Sequence, residues 1–200
     1  MARAGDLTFA ALPEKPELAV ISPNEPGAMI AYARECNQLG IPYFYDPSQQ
    51  IVRLEADDLR EGIHLARGLF CNDYEFGLIE KKTGLGVDSI LEEAEFVLIT
   101  RGEDGADLHL PGRSFHVPAV NPDTIADPTG VGDALRAGFL KGYLHGIELE
   151  ICARMGSIAA AYCLEARGPQ GHTFTPGQFL QRYKSNFDGG ELDELLAMKP

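Results

Sequence analysis

Asp127-Pro128-Thr129-Gly130-Val131-Gly132-Asp133, followed by Ala134-Leu135-Arg136-Ala137-Gly138-Phe139-Leu140, is the stretch whose reading decides the fold. Two glycines bracket one residue, a carboxylate follows, and an apolar helix-forming run comes next. This is a glycine turn feeding a helix N-terminus. Unbonded N–H groups of a first helical turn and the positive end of the helix dipole make a site for an anion. Asp133 is odd there, because a carboxylate repels an anion. The oddity resolves if Asp133 takes a proton from a group that then attacks the anion, as in phosphoryl transfer. A structural turn is the alternative reading, but an N-cap needs only Asp127 or Thr129. The chain has no G-x-x-x-x-G-K-[ST], and Leu135 leaves G-x-G-x-x-G incomplete.

Upstream, continuous apolar runs at 18–21, 41–45, 69–71 and 96–99 read as buried strands. They alternate with helical patterns over 25–39, 54–67, 74–82 and 87–94, the first stopped by Gly40. That alternation predicts an α/β fold with a parallel sheet covered on both faces. Residues 106–110 and 114–117 flank Pro111-Gly112 and predict a hairpin. Downstream the pattern is helical over 132–144, 149–166 and 176–186, with a short tail helix. No repeat or low-complexity linker interrupts the 200 residues, so one domain over 1–200 is expected.

Ligands of open α/β sheets bind outside the carboxyl ends of the strands. Asp46, Asn72 and Thr100 follow three successive strands, and the 127–133 turn opens the helix after the hairpin. These four segments are expected to converge on one crevice. Asn72 and Glu75 share one face of a first helical turn and offer hard oxygen ligands for Mg²⁺, directly or through water. The same spacing is an N-cap with its capping-box glutamate, which is the stronger reading for that pair alone. Thr100 can reach a phosphate or sugar, and Gly102 and Gly105 let backbone pass close to a ligand; a plain turn is the bland reading. Arg136 shares a helix face with Asp133, either to neutralise phosphate or to lie in solvent. Gln49 and Gln50 either reach substrate or are two solvated loop residues. The five histidines have no partner at catalytic spacing.

Composition is that of a globular protein, 44% hydrophobic and 24% charged. The formal net charge of -13 argues against a nucleic-acid backbone as partner. Cys36, Cys71, Cys152 and Cys163 show neither metal-site nor disulfide spacing, so reduced thiols and a cytoplasmic location are expected. No secretory segment follows Met1 and no apolar run is long enough for a bilayer, so no membrane partner is expected.

The 127–134 stretch resembles the second signature of the ribokinase-like (PfkB) carbohydrate kinases. Asn72-Asp73-Tyr74-Glu75 resembles that family's N-x-x-E motif, and Thr100-Arg101-Gly102-Glu103-Asp104-Gly105 its nucleotide-binding turn. Residues 46–50, 155–160 and 165–170 are most similar to bacterial adenosine kinases. The resemblance implies a three-layer αβα sandwich with a mostly parallel sheet. It implies ATP-dependent transfer to a primary hydroxyl of a nucleoside, adenosine first, or of a ribose- or fructose-type sugar. Asp133 is then the base, the 130–133 turn with Gly130, Val131 and Gly132 the anion hole, and Arg136 a catalytic neighbour. Asn72, Thr100, Gly102, Gly105, Asp127, Thr129 and Ser157 hold ATP. Asn72 and Glu75 serve Mg²⁺, and Gln49 and Gln50 border the acceptor. Leu135 departs from the signature's usual Phe, a conservative change expected at a buried position. The family's N-terminal strands and lid have no counterpart, and residues 2–11 resemble the middle of a full-length kinase. A truncated sheet is expected to expose an apolar edge, to favour homo-oligomers and to transfer phosphate weakly. A non-catalytic nucleotide-binding or interaction module is the remaining alternative.

Overall fold

A computed structural model describes residues 5–187. They divide into two compact units. The first runs to Arg101 and includes Asp107–Ser114; the second comprises Gly102–Ala106 and the chain from Phe115 onward.

In the first unit, β1 (Ala19–Ile21), β2 (Tyr43–Tyr45), β3 (Gly68–Asn72) and β4 (Phe96–Thr100) lie side by side in sequence order, every pair parallel. The crossovers are α1 (Pro26–Leu39), α2 (Ala56–Ile63), α3 (Asp73–Thr83) and α4 (Val87–Leu91). β5 (Ala106–Leu110) and β6 (Arg113–Val117) flank the predicted two-residue turn and complete a six-stranded order β1 to β6. Side chains alternate across the strands. Ile21, Tyr43, Tyr45, Leu69, Cys71, Val97 and Ile99 form one core with Met29, Ile30, Ala33, Leu59 and Ile79 of the helices. On the other face Phe44, Phe70 and Phe96 meet edge to face, with ring centroids 5.0 to 5.7 Å apart. Gly68 makes room for this trio: a Cβ there would lie 2.3 Å from the Phe96 ring. β1 is at the edge of the strand order, and its Val20 is 39% exposed.

Local chemistry sets the helix ends. Pro26 opens α1, the Glu25 carboxylate accepts from the Ala28 N–H at 2.9 Å, and Gly40 closes it in the left-handed conformation. Several elements are shorter than their sequence patterns, α4 among them, which ends at Leu91 rather than at 94. α2 ends at Ile63 because the Tyr43 hydroxyl reaches the carbonyls of Gly62 (3.1 Å) and His64 (2.6 Å), and Leu65 turns left-handed. β2 starts at Tyr43 rather than Ile41 because Pro42 has no N–H for a ladder. Near the start of the described chain, Glu35 of α1 accepts from the N–H groups of Phe9 and Ala10, both at 3.0 Å, and from the Thr8 hydroxyl.

The second unit is built on α5 (Val131–Tyr143), α6 (Leu149–Leu164) and α7 (Pro176–Asn186). α5 and α6 approach backbone to backbone. A Cβ at Gly138 would lie 2.7 Å from the Met155 carbonyl oxygen, and one at Gly156 2.6 Å from that of Leu135. α6 stops at Leu164, not Ala166, because the Leu164 carbonyl accepts from the N–H groups of Ala126 (2.8 Å) and Asp127 (3.3 Å). α7 starts on a Thr175–Gln178 capping box. Its Arg182 grips Glu165 at 2.5 Å, and this guanidinium holds the Glu165 carboxyl below the usual range. The expected tail helix lies outside the described residues. Among the described residues, no helix is long and apolar enough to cross a membrane.

Two glycines in helices separate packing from propensity. Gly156→Ala should lower stability by about 1–3 kcal/mol, because backbone must move to admit a methyl group. Gly77→Ala in α3, where nothing lies within 4 Å, should raise it by up to about 1 kcal/mol. Urea unfolding of both variants checks the opposite signs.

Candidate active site

In the first unit the carboxyl ends of the parallel strands carry the polar residues that sequence singled out. Asn72 and Thr100 close β3 and β4 and are register partners. Asn72 also caps α3: its Oδ1 accepts from the Glu75 N–H at 2.8 Å, and Glu75 Oε2 accepts from the Asn72 N–H at 2.9 Å. The pair expected to serve Mg²⁺ therefore first serves the helix. Asp46, wholly buried, follows β2. Burial pushes the Cys71 thiol well up, and the nearby carboxylates of Glu75, Asp46 and Asp73 push it further. Among the described residues no three His, Cys, Asp or Glu side chains are placed to cage a cation. Asn72 and Glu75 bring oxygen atoms of the kind that a hard cation takes beside its own waters.

The two glutamines part company. Ser48–Val52 is a 3₁₀ turn in which Gln50 is 2% exposed and Gln49 is exposed. Of the two sequence readings, burial thus excludes solvation for Gln50. Its Oε1 accepts from Arg53 at 3.3 Å, whereas Gln49 Oε1 accepts from the Ser48 hydroxyl at 2.8 Å.

In the second unit the 127–133 turn is held from both sides. Asp127 Oδ1 accepts from the Thr129 N–H at 2.9 Å, and its Oδ2 from the Gly168 N–H at 3.0 Å. These bonds, led by those from Thr129, hold the Asp127 carboxyl below its usual range. Gly130 is the N-cap of α5, with φ of 85°. A Cβ there would be strained and would lie 2.4 Å from the Pro169 Cβ. As a glycine, Gly130 offers α5 no side-chain cap. The Val131 N–H is 3.4 Å from the Pro128 carbonyl, and the Ala134 N–H reaches Gly130 at 2.9 Å. The N–H groups of Gly132 and Asp133 lie too near the start for an acceptor within the helix. They, with the positive helix end, can receive an anion.

Gly132 has no comparable steric reason to be glycine. A Cβ there would first meet the Arg136 guanidinium, at an ordinary 3.5 Å. Glycine costs a helix interior about 1 kcal/mol relative to alanine, so packing alone does not call for glycine at 132. Asp133, with its side chain 75% exposed, is paired with Arg136 at 2.5 Å, and Arg136 is only 18% exposed. Of the two sequence readings of Arg136, the solvent-exposed one is excluded. Leu135 is half-buried rather than buried.

Two further sequence readings change their reason. Gly105, with φ of 94°, is glycine because a Cβ would lie 2.2 Å from the Val117 carbonyl oxygen. Its close neighbour is the chain itself, whereas Gly102 faces open space. The Ser157 hydroxyl donates to the Pro118 carbonyl at 3.0 Å and accepts from the Val120 N–H at 3.1 Å. Its donor and one of its two lone pairs go to the 118–120 segment. The clasp of Gly168 and Pro169 on the turn gave only a faint sequence signal, a Gly-Pro pair forty residues downstream. Burial raises the Cys163 thiol, and Asp127 and Asp133 add to it, which disfavours the thiolate beside Thr129.

The family model of the pfkB family carbohydrate kinases matches residues 17–175. The nucleoside kinase of Methanocaldococcus jannaschii is 30% identical over 142 residues, 71% of this chain and 47% of that protein. The ATP-dependent ribose-1-phosphate kinase of Halopiger xanaduensis is 31% identical over 65% of this chain and 42% of its own. Among solved structures, the Burkholderia thailandensis nucleoside kinase in complex with ADP-inosine superposes with a TM-score of 0.86 at 33% identity. The match covers 90% of this chain and 56% of that one. The expected ribokinase-like α/β fold with a mostly parallel sheet is thus borne out. The chain spans about half the length of the curated relatives it matches.

Stability should separate the two glycines of the turn. Gly130→Ala should cost more than about 1 kcal/mol, from positive φ and from Pro169. Gly132→Ala should be neutral or stabilising by up to about 1 kcal/mol. Thermal unfolding of the two variants reads the contrast directly.

Proposed function

The chain belongs to the pfkB family of carbohydrate kinases, and on that premise we propose that it carries the phosphoryl-transfer machinery of an ATP-dependent nucleoside kinase. The observation that carries the reading is the start of α5. It combines an uncapped helix N-terminus, a glycine at 132 that its own packing does not need, and an exposed carboxylate at 133. An anion-binding helix end beside a proton acceptor is the pair of parts that attack by a hydroxyl on a phosphoryl group requires.

Asp133 takes the proton of the acceptor's primary hydroxyl as that oxygen bonds to the γ-phosphorus of ATP. The bond from that phosphorus to the bridging oxygen breaks, and ADP leaves. The N–H groups at Gly132 and Asp133 stabilise the negative charge on the transferring group. Arg136 orients the Asp133 carboxylate and supplies positive charge next to it. Asp127, Gly168 and Pro169 act earlier, by fixing the turn. Thr129 belongs to the same clasp through its N–H. Thr100 and Gly102 serve the nucleotide. Asn72 and the Glu75 carboxylate would hold Mg²⁺ with its waters, which supplies charge neutralisation at the phosphates. Gln49 borders the acceptor, with Gln50 anchoring its turn.

The acceptor proposed is a nucleoside, because the first curated relatives are nucleoside kinases and the superposing structure is described with ADP-inosine. Adenosine is the member proposed first. The ribose-1-phosphate kinase among the relatives keeps a sugar acceptor as the second reading. The exposed β1 edge is the surface through which copies of the chain would pair.

The test is a phosphotransfer assay with ATP and Mg²⁺ against adenosine, inosine, cytidine and ribose, comparing wild type with Asp133→Asn. Transfer to a nucleoside is expected. Asp133→Asn should lower kcat about 10²–10⁴-fold, the usual loss on removing a general base. Equal activity in Asp133→Asn would refute the base, and transfer to ribose alone would replace the acceptor.

A further inference from the structure

The 3₁₀ turn Ser48–Val52 that carries Gln49 and Gln50 is held by a lysine that nothing so far has assigned. The Lys82 ammonium, near the end of α3, lies 2.8 Å from the Ile51 carbonyl oxygen, 3.3 Å from that of Val52 and 2.8 Å from that of Leu54. An ammonium has three N–H donors, and all three go to the carbonyls that end this turn. Those carbonyls form the negative end of the turn, so the charge adds to the hydrogen bonds.

The turn is constrained at its start as well. Ser48 has φ of 42°, in the left-handed region that a non-glycine residue seldom adopts. Its hydroxyl donates to Gln49 Oε1 at 2.8 Å. The Gln50 carbonyl accepts from the N–H groups of Arg53 (2.8 Å) and Leu54 (2.9 Å), and the Gln50 side chain is buried. A strained residue persists only where its surroundings over-determine it. Here they anchor Gln50 inward and leave Gln49 outward, just past the carboxyl end of β2. α3 therefore works as a strut: the Asn72–Glu75 capping box opens it and the Lys82 clamp sits on its last turn.

We propose that Lys82 is a positioning residue for the acceptor side of the site, setting the 48–52 turn so that Gln49 is presented to the nucleoside. This rests on the nucleoside-kinase reading of the same site. Lys82 touches neither substrate nor phosphate in this role; it acts through the turn.

The test compares wild type, Lys82→Met and Lys82→Arg in the full 200-residue chain. Adenosine and ADP affinities are measured by calorimetry, and amide exchange is followed at Gln50, Arg53 and Leu54. Lys82→Met should speed exchange at those amides and weaken adenosine binding on the order of tenfold, about 1.4 kcal/mol. ADP affinity should stay unchanged, and Lys82→Arg, which keeps charge and donors, should restore most of the adenosine affinity. Equal adenosine affinity in wild type and Lys82→Met would overturn the positioning role while leaving the kinase reading intact. Equal loss of adenosine and ADP affinity, with no rescue by arginine, would reduce Lys82 to general stability and overturn it too. No adenosine binding by wild type would defeat the nucleoside reading itself, and the inference with it.

Discussion

The close approach of α5 to α6 is the constraint on which the second unit depends. Gly138 and Gly156 let the two backbones meet where a methyl group would collide with a carbonyl oxygen. With α5 fixed in this way, its first turn is fixed too, and Asp127, Gly168 and Pro169 hold the chain that enters it. The result is an N-terminus that needs no side-chain cap for its position. A helix whose free N–H groups are positioned by packing can leave them for a ligand, and no reorganisation is then needed when charge develops there.

The same logic of paired roles runs through the first unit. Asn72 and Glu75 satisfy the start of α3 and still bring oxygen atoms to the carboxyl end of β3. A capping box and a metal-associated pair are not rival readings of those residues, because Glu75 uses only one carboxylate oxygen on the helix. Asp133 and Arg136 show the equivalent economy in the second unit. The ion pair orients the carboxylate and places a positive group beside it.

Features governed by local chemistry were legible in the sequence. The α1 stop at Gly40, the Pro111-Gly112 hairpin, and the glycine turn before α5 each follow from a few adjacent residues. Features governed by distant partners were not. The end of α2 is set by the Tyr43 hydroxyl, roughly twenty residues upstream, against a continuing helical pattern. Gln50 is buried in a turn clamped by Lys82 of α3, so two adjacent glutamines have opposite fates. Gly105 answers to the backbone near Val117, and Ser157 bonds the 118–120 segment. Period and composition carry no information about such partners. The residues of the turn itself were readable because their glycines and carboxylates act through their own backbone.

The central claim is that the α5 N-terminus receives the phosphates. The most direct measurement is an amide-resolved NMR titration of the chain with ADP and then ATP, with Mg²⁺ present. Saturable shifts are expected to concentrate at the Gly130, Val131, Gly132 and Asp133 amides, larger for ATP than for ADP. Nucleotide binding that leaves those four amides unmoved while shifting others would contradict the claim.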